Sequence, residues 1–222
     1  ISAEELSALT TEAFRRAGFP DNDAEAVAEI LVTTDLMGIS THGVHRVEQY
    51  LKRVEAGVVK AIPDIQIEDR APALAIIDGD GGQGQVVGAK ALECAMAKAR
   101  ANGIGLVSVK NSNHFGGTAP YGFAASVAAM ALFCGTSASP AMAPFGGRDL
   151  LMGNNPLGFA APRRGGAPFI LDMAQSVAAR GKMRKLRDAG EDMPLGWALD
   201  ADGAPTTDPT AGLDGFIQFI GG

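Results

Sequence analysis

The 222 residues, 46% hydrophobic and 20% charged, suffice for one large or two small domains with real cores and exclude a short peptide or linker. A formal charge of −6 without a basic block argues against a nucleic-acid partner, and no apolar run nears the ~20 residues that span a bilayer. Cys94, in an alanine-rich helical pattern, and Cys134, in an apolar run, read as two buried thiols rather than a disulfide, which fits a reducing compartment, the cytoplasm. The chain begins at Ile1 with neither an initiator Met nor a signal-like leader, so its N-terminus reads as trimmed.

Ser2 to Glu5 has the spacing of a capping box, and Leu6, Leu9, Ala13 and Ala17 recur at helical intervals until Gly18 stops the helix. Asn22 to Glu25 repeats the capping pattern, and Ala24, Val27, Ile30 and Leu31 carry a second helix towards Met37. A third helix is expected from near Ser40 to about Gly57. Pro63, a polar stretch and Pro72 then mark a boundary. Beyond it the pattern alternates: a strand at Leu74 to Ile77, a helix from about Gln85 to Ala101, a strand at Ile104 to Val109, a helix after Pro120 and a short strand including Leu132 to Cys134. Glycine- and proline-rich loops are expected from Ser137 to Pro168, with further strands at Phe169 to Leu171 and Trp197 to Leu199.

The segment Asp35-Leu-Met-Gly-Ile-Ser-Thr-His-Gly-Val-His-Arg46 is the most informative. On one helix, His42, Arg46 and Tyr50 share a side, while Val44, Val47, Leu51 and Val54 gather on the opposite flank as its apolar face. The polar stripe is therefore expected to face a ligand. His42 falls at the helix start, behind Ser40 and Thr41, where free backbone N–H groups and the positive dipole end favour an anion. Arg46, one turn on, has the geometry to grip a carboxylate with two parallel hydrogen bonds. The competing reading is an N-cap and an ordinary solvated edge, and His45 points away from the stripe in either case.

A second histidine has an equally unusual setting in Asn111-Ser-Asn-His-Phe-Gly-Gly-Thr118, glycines and small polar residues between a strand end and a helix start. Backbone N–H groups there can converge on a phosphate, although a polar turn with a hydrogen-bonded His fits the same residues. Gly79-Asp-Gly-Gly-Gln-Gly84 also satisfies the G-x-G-x-x-G pattern in a strand-to-helix context. Against it, the acidic residue expected about 20 residues later is replaced by Lys110, and Asp78 and Asp80 would repel a pyrophosphate. A glycine-rich turn that opens a helix is the stronger reading. His42, His45 and His114 show no convincing metal-ligand spacing, so no metal is expected.

Seven ordered motifs resemble the malate/L-lactate dehydrogenase family, which is unrelated to the Rossmann lactate dehydrogenases. They are Asp35-Leu-x-Gly-x-x-Thr-His-Gly-Val-x-Arg46, Asn111-Ser-Asn-His-Phe-Gly116, Pro144-Phe-Gly-Gly147, Gly153-Asn-Asn-Pro156, Leu171-Asp-Met-Ala174, Ala179-Arg-Gly-Lys182 and Gly203-Ala-Pro-Thr-Thr-Asp-Pro209, and they cover essentially the whole chain. The resemblance implies a mixed α/β (α+β) fold. A helical domain over residues 1–70 would carry the His/Arg motif, a non-Rossmann nicotinamide-binding α/β domain would occupy residues 71–222, and the molecule would work as a homodimer.

The function implied is hydride transfer between NAD or NADP and a small 2-oxo or 2-hydroxy acid, malate- or lactate-like, or a cyclic imino acid. By the same resemblance Thr41 and His42 act as proton relay and donor, with His114 an alternative acid/base that the residues do not rank below His42. Arg46 would bind the substrate carboxylate, with Tyr50 on its stripe and Asn154, Arg180 and Gly181 as further substrate contacts; Asn154 stands where relatives often have Thr. His114, Phe115, Gly116, Gly117 and Thr118, with Asp172, Met173 and Ala174, match cofactor-binding motifs. Family chains continue past Gly221-Gly222 into a segment that usually carries a Lys and completes the cofactor pocket, so the domain reads as incomplete at its C-terminus. An inactive or truncated small-anion-binding protein of the same fold is the alternative. Neither the substrate nor NADH against NADPH is fixed: no acidic ribose reader is evident, and Lys182, Arg184 and Lys185 stand either near a 2′-phosphate or in solvent.

Overall fold

The capping box at Ser2 is formed: its hydroxyl accepts from the Glu5 N–H, the Glu5 carboxylate accepts from the Ser2 N–H, and helix α1 (Ala3–Arg16) begins there. A computed structural model describes residues 1–220, so the Gly221-Gly222 pair lies outside the described residues. The buried side of α1 departs from the apolar spacing. Leu9 is 61% exposed, while Thr10, Thr11 and Phe14 turn inward, Thr10 returning its hydroxyl proton to the Leu6 carbonyl so that burial leaves it paired. Helix α2 (Asp21–Leu36) starts at Pro20 without a side-chain cap rather than at the expected Asn22 box; Pro20 holds an extended φ, ψ, and Asp21 and Asp23 complement the positive end of the helix.

The expected third helix is broken. Ser40–His42 and Val44–Arg46 form two separate 3₁₀ turns, and α3 spans only Val47–Glu55. Gly43 between the turns has an extended ψ of −149°, and the Asp35 carboxylate accepts from the Val44 N–H at 2.9 Å, capping the second turn. The apolar flank is as the spacing predicts: Val44, Val47, Leu51 and Val54 pack on a core of Phe14, Phe19, Val27, Leu31 and Val86. Tyr50 does not stay on the stripe. It belongs to that core, 2% exposed.

The polar stretch between Pro63 and Pro72 carries a strand, β1 (Gln66–Ala71), exposed along its length, which is why no hydrophobic alternation betrays it. It pairs antiparallel with β2 (Leu74–Asp78), which pairs parallel with β3 (Leu106–Lys110) through the crossover helix α4 (Gly84–Asn102). Helix α5 (Ala119–Val127) follows the loop after β3. These elements lie in one compact unit, residues 1–132 with 160–169.

The second unit comprises residues 133–159 and 170–220 of the described chain. Strands β4 (Leu132–Gly135), β5 (Leu157–Ala161) and β6 (Phe169–Met173) make a sheet in that order, so β5 emerges from a region the composition marks only as loop. Helix α6 (Arg180–Ala189) and the short α7 (Pro209–Asp214) flank three two-residue strands, β7 (Ala198–Leu199), β8 (Pro205–Thr206) and β9 (Phe216–Ile217), with β7 central. Met142, Met183, Met193, Ala198, Leu213 and Ile217 form its core. Cys94 and Cys134 are free thiols, half-buried rather than buried. Among the described residues no helix is long and apolar enough to cross a membrane.

Candidate active site

His42 and Arg46 owe their positions to the broken helix. The Thr41 hydroxyl meets the Nδ1 atom of His42 at 2.9 Å, and the Thr41 carbonyl accepts from the Arg46 Nε at 2.7 Å, so one residue orients an imidazole and a guanidinium together. Arg46 also donates through Nη1 to the Gln49 Oε1 at 2.8 Å. Two of its five N–H donors thus already serve the protein, which leaves one on Nη1 and both on Nη2 for a ligand. Gly43 is required where it stands, because a Cβ there would collide with the Asp35 carboxylate that caps the next turn. His45 is exposed.

The two histidine motifs meet. The His42 and His114 rings stack with centroids 5.5 Å apart and planes 21° from parallel. Tyr50 reaches the same place from α3: its hydroxyl lies 2.7 Å from the Nδ1 of His114 and accepts from the Gln85 Nε2 at 3.2 Å. Gln85 takes a hydrogen bond from the Gln83 Nε2 on its Oε1, and both glutamines are buried. Arg53 donates to the Asn113 Oδ1 at 2.9 Å beside His114.

Crowding by protein atoms, then the positive charges of His42, Arg46 and Arg53, pull the His114 pKa down to about 4. Part of the His114 surface is nonetheless open to solvent while its Nδ1 edge is closed by Tyr50, so the direction rests most firmly on the cationic neighbours, which act the same way as burial. Burial drives the Tyr50 phenol above its ordinary pKa, against smaller opposite effects of Gln85, Arg46 and Arg53.

The glycine fingerprint serves as the floor of this loop. The Gly79 N–H donates to the Lys110 carbonyl and the Gly81 N–H to the Asn111 carbonyl; the Asn111 amide binds both oxygens of Asp78, and the Asn113 amide donates to the Gly81 and Gly82 carbonyls. Asp80 is spent on Lys60 and the Asp64 N–H. Gly84 backs directly onto the carbonyls of Asn113 and His114, where a Cβ would collide with both. The turn is therefore the structural one expected, and Gly116, Gly117 and Thr118 carry the loop, buried, into α5 after the half-buried Phe115, whose carbonyl is held by the Tyr121 hydroxyl at 2.7 Å.

In the second unit, the Asn154 carbonyl accepts from the Gln175 N–H at 2.8 Å, beside the end of β6 where Asp172, Met173 and Ala174 lie. Arg180 and Gly181 open α6; the Arg180 guanidinium donates to the Leu213 carbonyl at 2.6 Å, and its Nε is buried without a partner among the described residues. Sequence patterning misses Gln83, Gln85, Arg53 and Asn113. Gln83 sits inside the misleading fingerprint and Gln85 directly after it, and the available signal is two amides in a stretch that otherwise reads as glycine and valine.

A family profile described as malate/L-lactate dehydrogenase matches residues 1–222. The chain is 39% identical to a malate dehydrogenase of Pyrococcus abyssi over all of its own length and 63% of that protein's. It is 37% identical to a ureidoglycolate dehydrogenase (NAD(+)) of Escherichia coli over 95% of its length and 60% of that protein's. The solved structure of a sulfolactate dehydrogenase of Methanocaldococcus jannaschii, 40% identical, superposes with a TM-score of 0.93 over the whole chain and 64% of that structure. The chain thus spans just under two thirds of the length of these relatives.

Proposed function

The chain belongs to the malate/L-lactate dehydrogenase family, and from that membership we propose that it serves a nicotinamide-dependent oxidoreductase of small 2-oxo and 2-hydroxy acids, or of cyclic imino acids. The observation that carries the reading is the stacked His42–His114 pair with Arg46 tied to the same Thr41. Two titratable imidazoles beside a fixed cation suit protonation of an acid's oxygen far better than they suit a core or a solvated edge.

The chemistry of the donor set fits the absent group. A buried Arg180 Nε without a partner among the described residues is suited to an anionic group, as the substrate carboxylate is, and Gly116 and Gly117 carry no side chain that would keep a flat polar ring from the loop backbone. When bound, NAD or NADP supplies or receives the hydride. His114 to Thr118 and Asp172 to Ala174 are the residues assigned to hold it, and Lys182, Arg184 and Lys185 keep NADP an equal candidate.

Arg46, through the donors not already given to Thr41 and Gln49, would hold the carboxylate and fix the acid's orientation, and by the family resemblance Asn154, Arg180 and Gly181 are assigned as further substrate contacts. His42, oriented through Thr41, would give its proton to the developing alkoxide or amine in reduction and receive one in oxidation; His114 is the other candidate for that step, with Tyr50 joining the site through it. Residues 1–70 are assigned as the helical domain and 71–222 as the cofactor-binding domain, of a cytoplasmic homodimer.

The test is oxidation of NADH and NADPH by the purified chain, followed optically with a panel of 2-oxo acids and cyclic imino acids, alongside His42→Ala and His114→Ala. Turnover with one substrate class that is lost in at least one variant is expected; full turnover in both variants removes the reading.

A further inference from the structure

The Gln83, Gln85, Tyr50 and His114 contacts run in one direction. The Gln83 Nε2 donates to the Gln85 Oε1, the Gln85 Nε2 donates to the Tyr50 hydroxyl, and the remaining partner of that hydroxyl is the His114 Nδ1. A phenol has one proton to give. Having accepted from Gln85, Tyr50 donates to His114, and an Nδ1 that accepts leaves the ring proton on Nε2. The chain is sealed: Gln83, Gln85 and Tyr50 are 1%, 0% and 2% exposed, so water has little access to reverse a link.

The opposite polarity, with both amides turned over, is the costlier one. As arranged, the atom without a partner is the Gln83 Oε1, an acceptor. Turned over, the unpartnered group becomes an NH₂ bearing two buried hydrogens, and buried orphan donors are rarer in folded proteins than under-satisfied carbonyls.

We propose that Gln83, Gln85 and Tyr50 are positioning residues, a directed relay that holds His114 as the neutral Nε2–H tautomer, so that His114 offers a fixed N–H to the acid's oxygen and His42 carries the transferred proton. The division of labour rests on the oxidoreductase reading; the tautomer does not. The groups facing His114 agree with a ring that stays neutral. His42 stacks on it, Arg46 and Arg53 present positive charge from either end of α3, Tyr50 is a neutral phenol, and no carboxylate is among its electrostatic partners. A neutral imidazole donating from a fixed nitrogen polarises an oxygen without itself exchanging a proton.

The experiment is long-range ¹H–¹⁵N correlation of the imidazoles in the ¹⁵N-labelled chain, with the three histidines assigned by single His→Gln replacements. His114 is expected as a single Nε2–H species through neutral pH; a predominant Nδ1–H species overturns the proposal. Tyr50→Phe removes the donor and is expected to convert that species into a tautomer mixture. Gln85→Met keeps the phenol but frees it to turn, serving where Tyr50→Phe fails to fold, and an unchanged single tautomer in the folded variant refutes the relay. In turnover assays Tyr50→Phe is expected to lower kcat about tenfold or more with KM little moved. A protein extended through the C-terminal length its relatives have that lacks turnover but shows the Nε2–H species refutes the oxidoreductase reading alone; one that turns over but shows Nδ1–H refutes the relay alone.

Discussion

Gly84→Ala sets two effects of opposite sign against each other. Gly84 is the first residue of α4, and in a helix interior alanine is favoured over glycine by about 1 kcal/mol, less at an end. Local propensity therefore predicts a gain of about 0.5 kcal/mol. The structure predicts a loss. The new Cβ points into the carbonyls of Asn113 and His114, which are backbone atoms with no rotamer to escape into, and the loop would have to retreat by about 1 Å to restore ordinary contact. Overpacking of this kind costs about 1–3 kcal/mol, and rigid backbone argues for the upper half, so the net expectation is a loss of about 2 kcal/mol. Urea unfolding measures it, with Gly57→Ala as control: at a φ of +69° its Cβ would meet no atom within 4 Å, which leaves only backbone strain, about 1 kcal/mol. The loop shift should also displace the His114 imidazole signals in Gly84→Ala and leave them unmoved in Gly57→Ala. A Gly84→Ala chain as stable as wild type, with unmoved His114 signals, refutes the argument that this glycine holds the histidine loop in place.

Two further outcomes follow from the perturbed groups. His114 has a folded pKa of about 4 against about 6.5 unfolded, so between those values the unfolded chain binds a proton that the folded chain refuses. The stability linked to this group is complete above about pH 6.5 and is lost as pH falls towards 4, with His42, Arg46 and Arg53 as the charges that repel its protonation. His114→Gln should flatten that part of the urea midpoint against pH, and an unchanged slope would contradict it. The Cys134 thiol is pushed up to about 11, by burial first and the Asp172 carboxylate second, so at pH 8 it holds roughly 200-fold less thiolate than an ordinary cysteine. Labelling by a thiol reagent should show one slow site that disappears in Cys134→Ala; fast labelling at that residue would count against the burial.

Helices α1, α2, α4 and α5 and strands β2 to β4 were legible because each buries apolar residues or sits between clear breakers, whereas the third helix, expected from near Ser40, begins only at Val47. Where polarity and period disagreed, the structure followed tertiary context. Strand β1 is exposed at every position, so its pairing with β2 rests on backbone hydrogen bonds that leave no hydrophobic trace. The two-residue β8 and β9 are too brief for any period to register, while β7 falls inside the strand expected at Trp197 to Leu199. His42, Arg46 and His114 stood out by residue type. Gln83 and Gln85 did not, because an amide's role depends on which neighbour it faces, and Tyr50 lies 35 residues from Gln85 in sequence.

The break at Gly43 is the point at which local sequence and site chemistry depend on each other. In an unbroken α-helix the Thr41 carbonyl would accept from the N–H four residues on, at His45, and would point along the helix axis rather than towards the Arg46 side chain. Gly43 extends the chain instead, the second 3₁₀ turn is capped by Asp35, and the Thr41 carbonyl accepts from the Arg46 Nε. The helical repeat correctly groups His42 with Arg46, but it does so for the wrong reason: they are joined through Thr41 and not by a common helix face. The same break explains why Tyr50, the next residue on the supposed stripe, goes elsewhere. Once α3 starts afresh at Val47 its phase is set by Val47, Leu51 and Val54 against the core, which carries Tyr50 inward to His114 and Gln85. A replacement that restored helix continuity, Gly43→Ala, would therefore be expected to cost more in His42 and Arg46 geometry than in helix propensity, because its Cβ must first expel the Asp35 carboxylate on which the second turn depends.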